Sequence, residues 1–239
     1  MLGFTRQTWP SRPQFYSLLI VVAGVVIGFP LLTAWAMHYV PAAHGAIVLG
    51  ILPLATTVVS TLRGGERPSA GFWAASVFGS VAVLVYILVT GAGALYVGDL
   101  ALLGAIVAAA YGYAEGGRLA KLLGGWQVIS WALVIAGPIL VIPVALSLSP
   151  KDFSAPAISW WNFAYVTLIS QFLGFFAWYH GLALAGVARV SQLQLLQPFL
   201  TLIGSALLLG ERVTALSITF ALIIVGSVAV SKKMTVIRT

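Results

Sequence analysis

From Pro13 to Leu62 the chain carries no Asp, Glu, Lys or Arg. A helix crosses a bilayer core with about 20 apolar residues. The run is therefore too long for one crossing, and Pro41, between His38 and His44, divides it. Charge stays scarce throughout: 7% of the 239 residues are charged and 61% are hydrophobic, against about 25% charged in a soluble domain. The chain reads as an all-α polytopic membrane protein, with the lipid bilayer as an obligate partner. About eight transmembrane helices are predicted: Phe15–Met37, Ala42–Leu62, Ala70–Thr90, Asp99–Arg118, Trp126–Leu148, Trp160–Leu184, Val190–Leu209 and Val213–Ser231. Arg6, Arg12 and the Ala34-Trp35-Ala36 triplet imitate a cleavable signal, but the apolar core between them exceeds the usual 7–15 residues of a signal. It is read as a retained span.

The net charge of +7 does not point to nucleic acid, because the basic residues sit in loops, where topology places them. Arg6, Arg12, Arg63, Arg67, Arg118, Lys121, Arg189, Lys232, Lys233 and Arg238 fall on one side. Only Lys151 and Arg212 fall on the other. Both termini are therefore expected in the cytoplasm, and a bacterial plasma (inner) membrane is the expected location. Cysteine is absent, which excludes disulfides, thiolate catalysis and Cys-ligated metals.

Two stretches are alike. Residues 53–70 read PLATTVVSTLRGGERPSA and residues 198–215 read PFLTLIGSALLLGERVTA. Pro53, Thr56, Ser60, Gly65, Glu66 and Arg67 match Pro198, Thr201, Ser205, Gly210, Glu211 and Arg212 at a constant offset of 145. Of the five acidic residues, two occupy matching places beside matching arginines. The first loop follows two predicted spans and the second follows seven. An odd number of crossings separates them, so the copies face opposite sides of the membrane. That is an inverted repeat, an architecture of secondary transporters that bind substrate near the midplane between the halves.

These residues, with VPAAHGAIVLGILPLATTVVSTLRGGERPS, GDLALLGAIVAAAYGYAEGGRLAK and GLALAGVARVSQLQLLQPFLTLIGSALLLGERVT, resemble the EamA-type branch of the drug/metabolite transporter superfamily. The resemblance runs from about residue 15 onward. It implies a two-halved bundle of ten helices, commonly an exporter of metabolites, with both termini inside. This chain departs from that pattern. Residues 1–90 form a first half of three helices and residues 91–239 a second half of five, an incomplete (3+5) inverted-repeat EamA-like bundle. What the family places as helices one and two is missing. Two arrangements would close the resulting gap: a helix pair encoded upstream of Met1, or association into a homodimer.

Several side chains are candidates for contact with a small-molecule substrate. Gln194, Gln197, Thr201 and Ser205 recur at helical spacing, and a polar stripe must face protein or water. Interhelical hydrogen bonding is the alternative reading. Gln171, Gly174 and Trp178 share a face of the sixth helix, amid Phe172, Phe175, Phe176 and Tyr179. Tyr111, Glu115 and Arg118 share a face of the fourth. Glu115 either pairs with Arg118 three residues on or lines the mouth of a substrate path. Pro53 and Pro198 each remove a helical N–H and free the carbonyl four residues back, which makes them candidate hinges. Glu66 and Glu211 are expected to cap the helix that follows each loop, where the helix dipole is positive, and to pair with Arg67 and Arg212. Asp99 is expected to cap the fourth helix, and the pairs Gly24–Gly28 and Gly112–Gly116 to permit close helix packing.

The favoured function is secondary transport, by alternating access, that exports or exchanges small organic metabolites. The alternative is a truncated or assembly-dependent subunit that does not transport alone. An enzyme is not expected, since no Gly-x-Ser-x-Gly or His-Glu-x-x-His occurs. No cofactor or metal site is expected, and the lack of a phosphate-binding loop argues against ATP-driven transport.

Overall fold

A computed structural model describes residues 2, 7–40, 45, 48–63, 65–90, 96–197, 199, 200, 203, 204, 207 and 214–238. Among the described residues it contains eight helices: α1 (Arg12–Ala36), α2 (Leu52–Arg63), α3 (Ala70–Thr90), α4 (Gly98–Leu123), α5 (Gly125–Ser147), α6 (Ala157–Ala185), α7 (Val187–Ser191, continued as a 3₁₀ turn over Gln192–Leu196) and α8 (Ala215–Lys233). Five of them, α1, α4, α5, α6 and α8, are long and apolar enough to cross a membrane. Six of the predicted helices are present with ends displaced by a few residues. Of predicted Ala42–Leu62 the described helix is Leu52–Arg63, and of predicted Val190–Leu209 it is 187–196, much of the remainder lying outside the described residues. Besides the irregular helix turns, two short features were not predicted. Strand β1 (Glu66–Pro68) pairs antiparallel with β2 (Val236–Arg238), with Arg67 opposite Ile237. A 3₁₀ turn spans Pro150–Ser154.

Single glycines join α4 to α5 and α6 to α7. Gly124 and Gly186 have φ of 100° and 91°, a region open to glycine at no steric cost. Each turn therefore needs only one residue.

Helix α4 is the centre of the bundle, packing against α1, α2, α5 and α6. Its crossing with α1 rests on the predicted glycines. A Cβ on Gly24 would strike the Ala108 carbonyl, and one on Gly112 would lie 2.5 Å from Val25 Cγ2. A Cβ on Gly116 would strike the ring of Tyr179. Leu18, Val21, Ile106, Ala109, Ile129, Tyr179 and Leu182 belong to one buried cluster around these crossings. Helices α3 and α8 pair separately, around Val83, Leu195, Phe199 and Ile224.

The offset of 145 recurs in the backbone. Helices α1 and α6 begin at Arg12 and Ala157; α3 and α8 begin at Ala70 and Ala215. Both α1 and α6 contain a π-helical stretch, Val22–Gly28 in one and Tyr165–Leu173 in the other. The second overlies the first at the same offset and starts two residues earlier. The hydroxyl after each Gly-Glu-Arg is a helix cap: Phe72 N–H donates to Ser69 Oγ at 3.3 Å, and Ser217 N–H donates to Thr214 Oγ1 at 3.1 Å. These four positions also match at 145.

Burial is uneven along the bundle axis. The basic ends of the helices, marked by Arg12, Arg63, Arg118, Lys121, Arg189 and Lys232, hold most of the buried residues. In α5 the buried positions run from Gly125 to Ala136 and stop there; in α6 only Tyr179 and Leu182 are buried. Along Ala157–Leu173 no residue is buried. Away from the basic end, Ala36 of α1, Val40 just after it, and Ala101 and Leu102 of α4 are still buried in a small cluster, while α5 beyond Ala136 and α6 before Tyr179 bury no residue among those described.

Candidate functional site

The paired prolines set the local geometry of the inner helices. Proline offers no N–H to the carbonyl four residues back. For Gln194 the chain compensates by tightening: Gln197 N–H donates to the Gln194 carbonyl in the 3₁₀ manner. In the first copy Ile51 N–H donates to the Val48 carbonyl at 3.2 Å, one residue before the Leu49 carbonyl that Pro53 frees. The Pro53 carbonyl accepts from Thr57 Oγ1 at 3.0 Å. Pro53 is buried within α2, whereas Pro198, Thr201, Ser205, Glu211 and Arg212 lie outside the described residues.

Where α2 meets α7, a polar seam joins residues far apart in sequence. Gln192 Nε2 donates to Thr57 Oγ1 at 3.0 Å, the hydroxyls of Thr57 and Ser191 are 3.4 Å apart, and Ser191 Oγ lies 3.4 Å from the Pro53 carbonyl. Thr57 and Ser191 are 0% exposed and Gln192 1%. The sequence reading missed Ser191 and Gln192. It assumed 100° per residue from Val190 onward, and the 3₁₀ turn at Gln192–Leu196 breaks that period. The first copy gives no signal either, having Ala46 and Ile47 at the matching places.

Glu66 corrects an expectation. Its carboxylate was assigned to the helix that follows it, but Ser69 caps that helix. The Glu66 oxygens instead accept the N–H groups of Val187 at 2.9 Å and Ala188 at 2.7 Å, at the start of α7. First-turn N–H groups have no partner within their own helix, and a carboxylate there also meets the positive helix end. Glu66 is 2% exposed, and Arg67 beside it is exposed. Nearby, Arg189 Nη2 donates to the Met234 carbonyl at 2.8 Å, which ties the C-terminal segment to α7.

The other candidates separate into engaged and open groups. Glu115 is buried and pairs with Arg118, which also donates to Ser17 Oγ at 2.8 Å and so links α4 to α1. Asp99, expected to cap α4, instead lies within its first turn: Val97 holds the cap position with no side-chain cap, and Asp99 Oδ2 accepts the Tyr96 N–H at 2.9 Å from the segment before the helix. Tyr111 is half-open, with the Arg63 guanidinium 5.7 Å from its ring centroid. Trp178 stands edge-on to Tyr113, with centroids 5.5 Å apart. Its Nε1 is buried without a hydrogen-bond partner among the described residues, as is Oε1 of Gln194. Gln197 and Gln171 are exposed. Gln171 lies inside the π stretch of α6, whose wider turn displaces it from the face that α-helical spacing assigns it. Trp178 and Tyr113 are thus brought together, and Tyr111 with Arg63.

The two π-bearing helices differ in cover. On α1, Leu18, Val21 and Val25 are buried against the bundle, Val25 beside Gly112 of α4. The positions 145 further on, Phe163, Val166 and Ser170 of α6, are exposed; Val21 is 0% exposed and Val166 48%. Among the described residues no helix covers this face of α6.

Comparison with known proteins agrees with this architecture. The EamA-like transporter family matches residues 1–88 and 96–232. The uncharacterized transporter YdeK of Bacillus subtilis is 44% identical over 236 residues, covering 98% of this chain and 81% of that protein. A probable terminal-alkyne amino-acid exporter of Streptantibioticus cattleyicolor is 26% identical over 207 residues, covering 84% and 68%. A solved crystal structure superposes with a TM-score of 0.78 over 97% of this chain and 82% of that one; at 18% identity the likeness is one of fold. With both segments matched and a relative this similar, the chain belongs to the EamA-like transporter family.

Proposed function

We propose that this protein exports small amphipathic organic metabolites, amino-acid-like compounds among them, across a bacterial plasma membrane by alternating access. The observation that carries this reading is the repeat of helix starts, caps and π stretches at one offset. With an odd number of crossings between copies, residues 1–90 and 91–239 act as inverted halves that move about a shared site. The basic end faces the cytoplasm. Buried polar atoms without partners suit a substrate that comes and goes, since they complete their hydrogen bonding only when it is present. Trp178 Nε1 offers a donor and Gln194 Oε1 an acceptor. Gln171, Gln197, Tyr111 and Glu115 are the further candidates along the path, and Pro53 and Pro198 the hinges. Amino-acid-like substrates are proposed by analogy with the probable terminal-alkyne amino-acid exporter of Streptantibioticus cattleyicolor.

The test is export from cells loaded with a panel of labelled amino acids and analogues, with and without the protein. Faster efflux of at least one compound is expected, and the Gln194→Leu and Gln197→Leu variants should lose most of it while the protein remains in the membrane. Efflux equal to that of empty cells across the panel would reject the reading.

The uncovered face of α6 favours a second reading, an assembly that needs another helix. We infer that a helix placed on α6 as α4 is placed on α1 completes the transport path. It would come either from upstream of Met1 or from a second copy. Crosslinking from a cysteine at Val166 separates the two sources: an adduct of twice the chain mass identifies a second copy.

A further inference from the structure

We propose that the α2–α7 seam is the gate at the basic end of the transport path, and that Glu66 is the residue that holds it shut. The inference rests on the alternating-access reading above and assigns the moving parts within it.

A seam that must part in every cycle cannot be an apolar core, because each opening would expose packed hydrophobic surface to water. Polar groups can exchange each other for water at small net cost. Polar contacts of this kind join α2 and its loop to α7, beside apolar residues of both helices, Leu52, Val59, Val187 and Val190, that belong to the buried cluster. Glu66 holds the Val187 and Ala188 N–H groups, Gln192 Nε2 donates to Thr57 Oγ1, and Ser191 Oγ, which donates to the Ala188 carbonyl at 2.9 Å, lies 3.4 Å from both the Pro53 carbonyl and Thr57 Oγ1. The α2 side of the seam lies in the first half and the α7 side in the second, so relative motion of the halves acts on it.

The backbone beside the seam can yield. Pro53 stands in the first turn of α2, its carbonyl 3.4 Å from Ser191 Oγ, and α7 changes from α to 3₁₀ geometry directly after Ser191. Unravelling of first-turn N–H groups needs no break in a helix, since they have no partner inside it. Closure is complete in this structure: Glu66, Thr57, Ser191 and Gln192 are all sealed from solvent, while the α6 segment Ala157–Leu173 toward the opposite end has no buried residue. The conformation is closed at the basic end.

The absence of cysteine allows a direct test. In the Thr57→Cys/Ser191→Cys variant the two sulfurs replace hydroxyls 3.4 Å apart, close enough for a disulfide after slight adjustment. Oxidation should stop transport and reduction restore it. Full transport by a completely crosslinked protein would overturn the gate. A second measurement does not require transport. The single Ser191→Cys variant should react slowly with an impermeant thiol reagent supplied from the side of the basic loops. Adding Glu66→Gln, or Glu66→Ala if the protein still assembles, should raise that rate by at least about fivefold, the size of a modest coupling between sites. An unchanged rate with both substitutions would reject Glu66 as the latch. If neither the parent nor the reduced variant moves any substrate, the transport reading fails, and the labelling rates still decide whether the seam opens.

Discussion

Gly24 of α1 and Gly112 of α4 meet backbone to backbone: a Cβ on Gly24 would lie 3.0 Å from both the Cα and the N of Gly112. The crossing tolerates no side chain on either residue. Gly112→Val should overpack it, at a cost of about 1–3 kcal/mol, read as a lower unfolding temperature in detergent. Gly226 on α8 is the control, since a Cβ there meets nothing within 4 Å. Gly226→Ala should leave stability unchanged or raise it by about 0.5–1 kcal/mol, the gain from replacing glycine inside a helix. Equal effects of the two substitutions would refute a steric crossing.

Ala70 and Ala215 begin matched helices and are both exposed. Inverted halves put them on opposite faces of the membrane. Single cysteines at the two positions should react with an impermeant reagent from opposite sides, Ala70→Cys from the cytoplasm and Ala215→Cys from outside. Labelling of both from the same side would abolish the inverted arrangement and the mechanism built on it.

The sequence reading succeeded where hydropathy and backbone chemistry act locally. Uncharged apolar runs located the helices, because a bilayer requires internal satisfaction of the backbone. The Glu115–Arg118 spacing foretold an ion pair. It failed where one helix departs from 3.6 residues per turn or where a partner is remote in sequence. The π stretch around Gln171 and the 3₁₀ turn at Gln192–Leu196 leave no mark in residue type. Glu66 finds its donors more than 100 residues away. Only a three-dimensional arrangement brings α7 to it, and local capping rules then assign it to the wrong helix.

Glu115 and Arg118 are unequal partners. The Glu115 side chain is 7% exposed and that of Arg118 is 46% exposed. Removing the arginine strands a buried carboxylate, whereas removing the carboxylate leaves a guanidinium that reaches water and Ser17. Arg118→Ala should therefore cost about 1–3 kcal/mol, the penalty for an unsatisfied buried group, and Glu115→Ala less. The double variant should be no worse than Arg118→Ala alone, a non-additivity expected of residues in contact. Transport measured on the same proteins assigns Glu115. If Glu115→Ala transports at the parent rate per folded molecule, the carboxylate is structural and leaves the substrate path.

Trp178 offers the sharpest separation of packing from binding. Its indole packs edge-on against Tyr113, while Nε1 is buried with no partner among the described residues. An unsatisfied buried donor costs about 1–3 kcal/mol, and a fold keeps such a group at no benefit unless something fills it. Phenylalanine preserves an aromatic ring and deletes the donor. If substrate accepts a hydrogen bond from Nε1 during passage, Trp178→Phe should hold or raise the unfolding temperature while export falls about tenfold, the equivalent of roughly 1.4 kcal/mol in transition-state binding. If Trp178 serves only to pack, the smaller ring leaves a cavity, so stability falls and export per folded molecule stays at the parent rate. The two outcomes move stability and transport in opposite directions, and measurement of both on one purified variant distinguishes them.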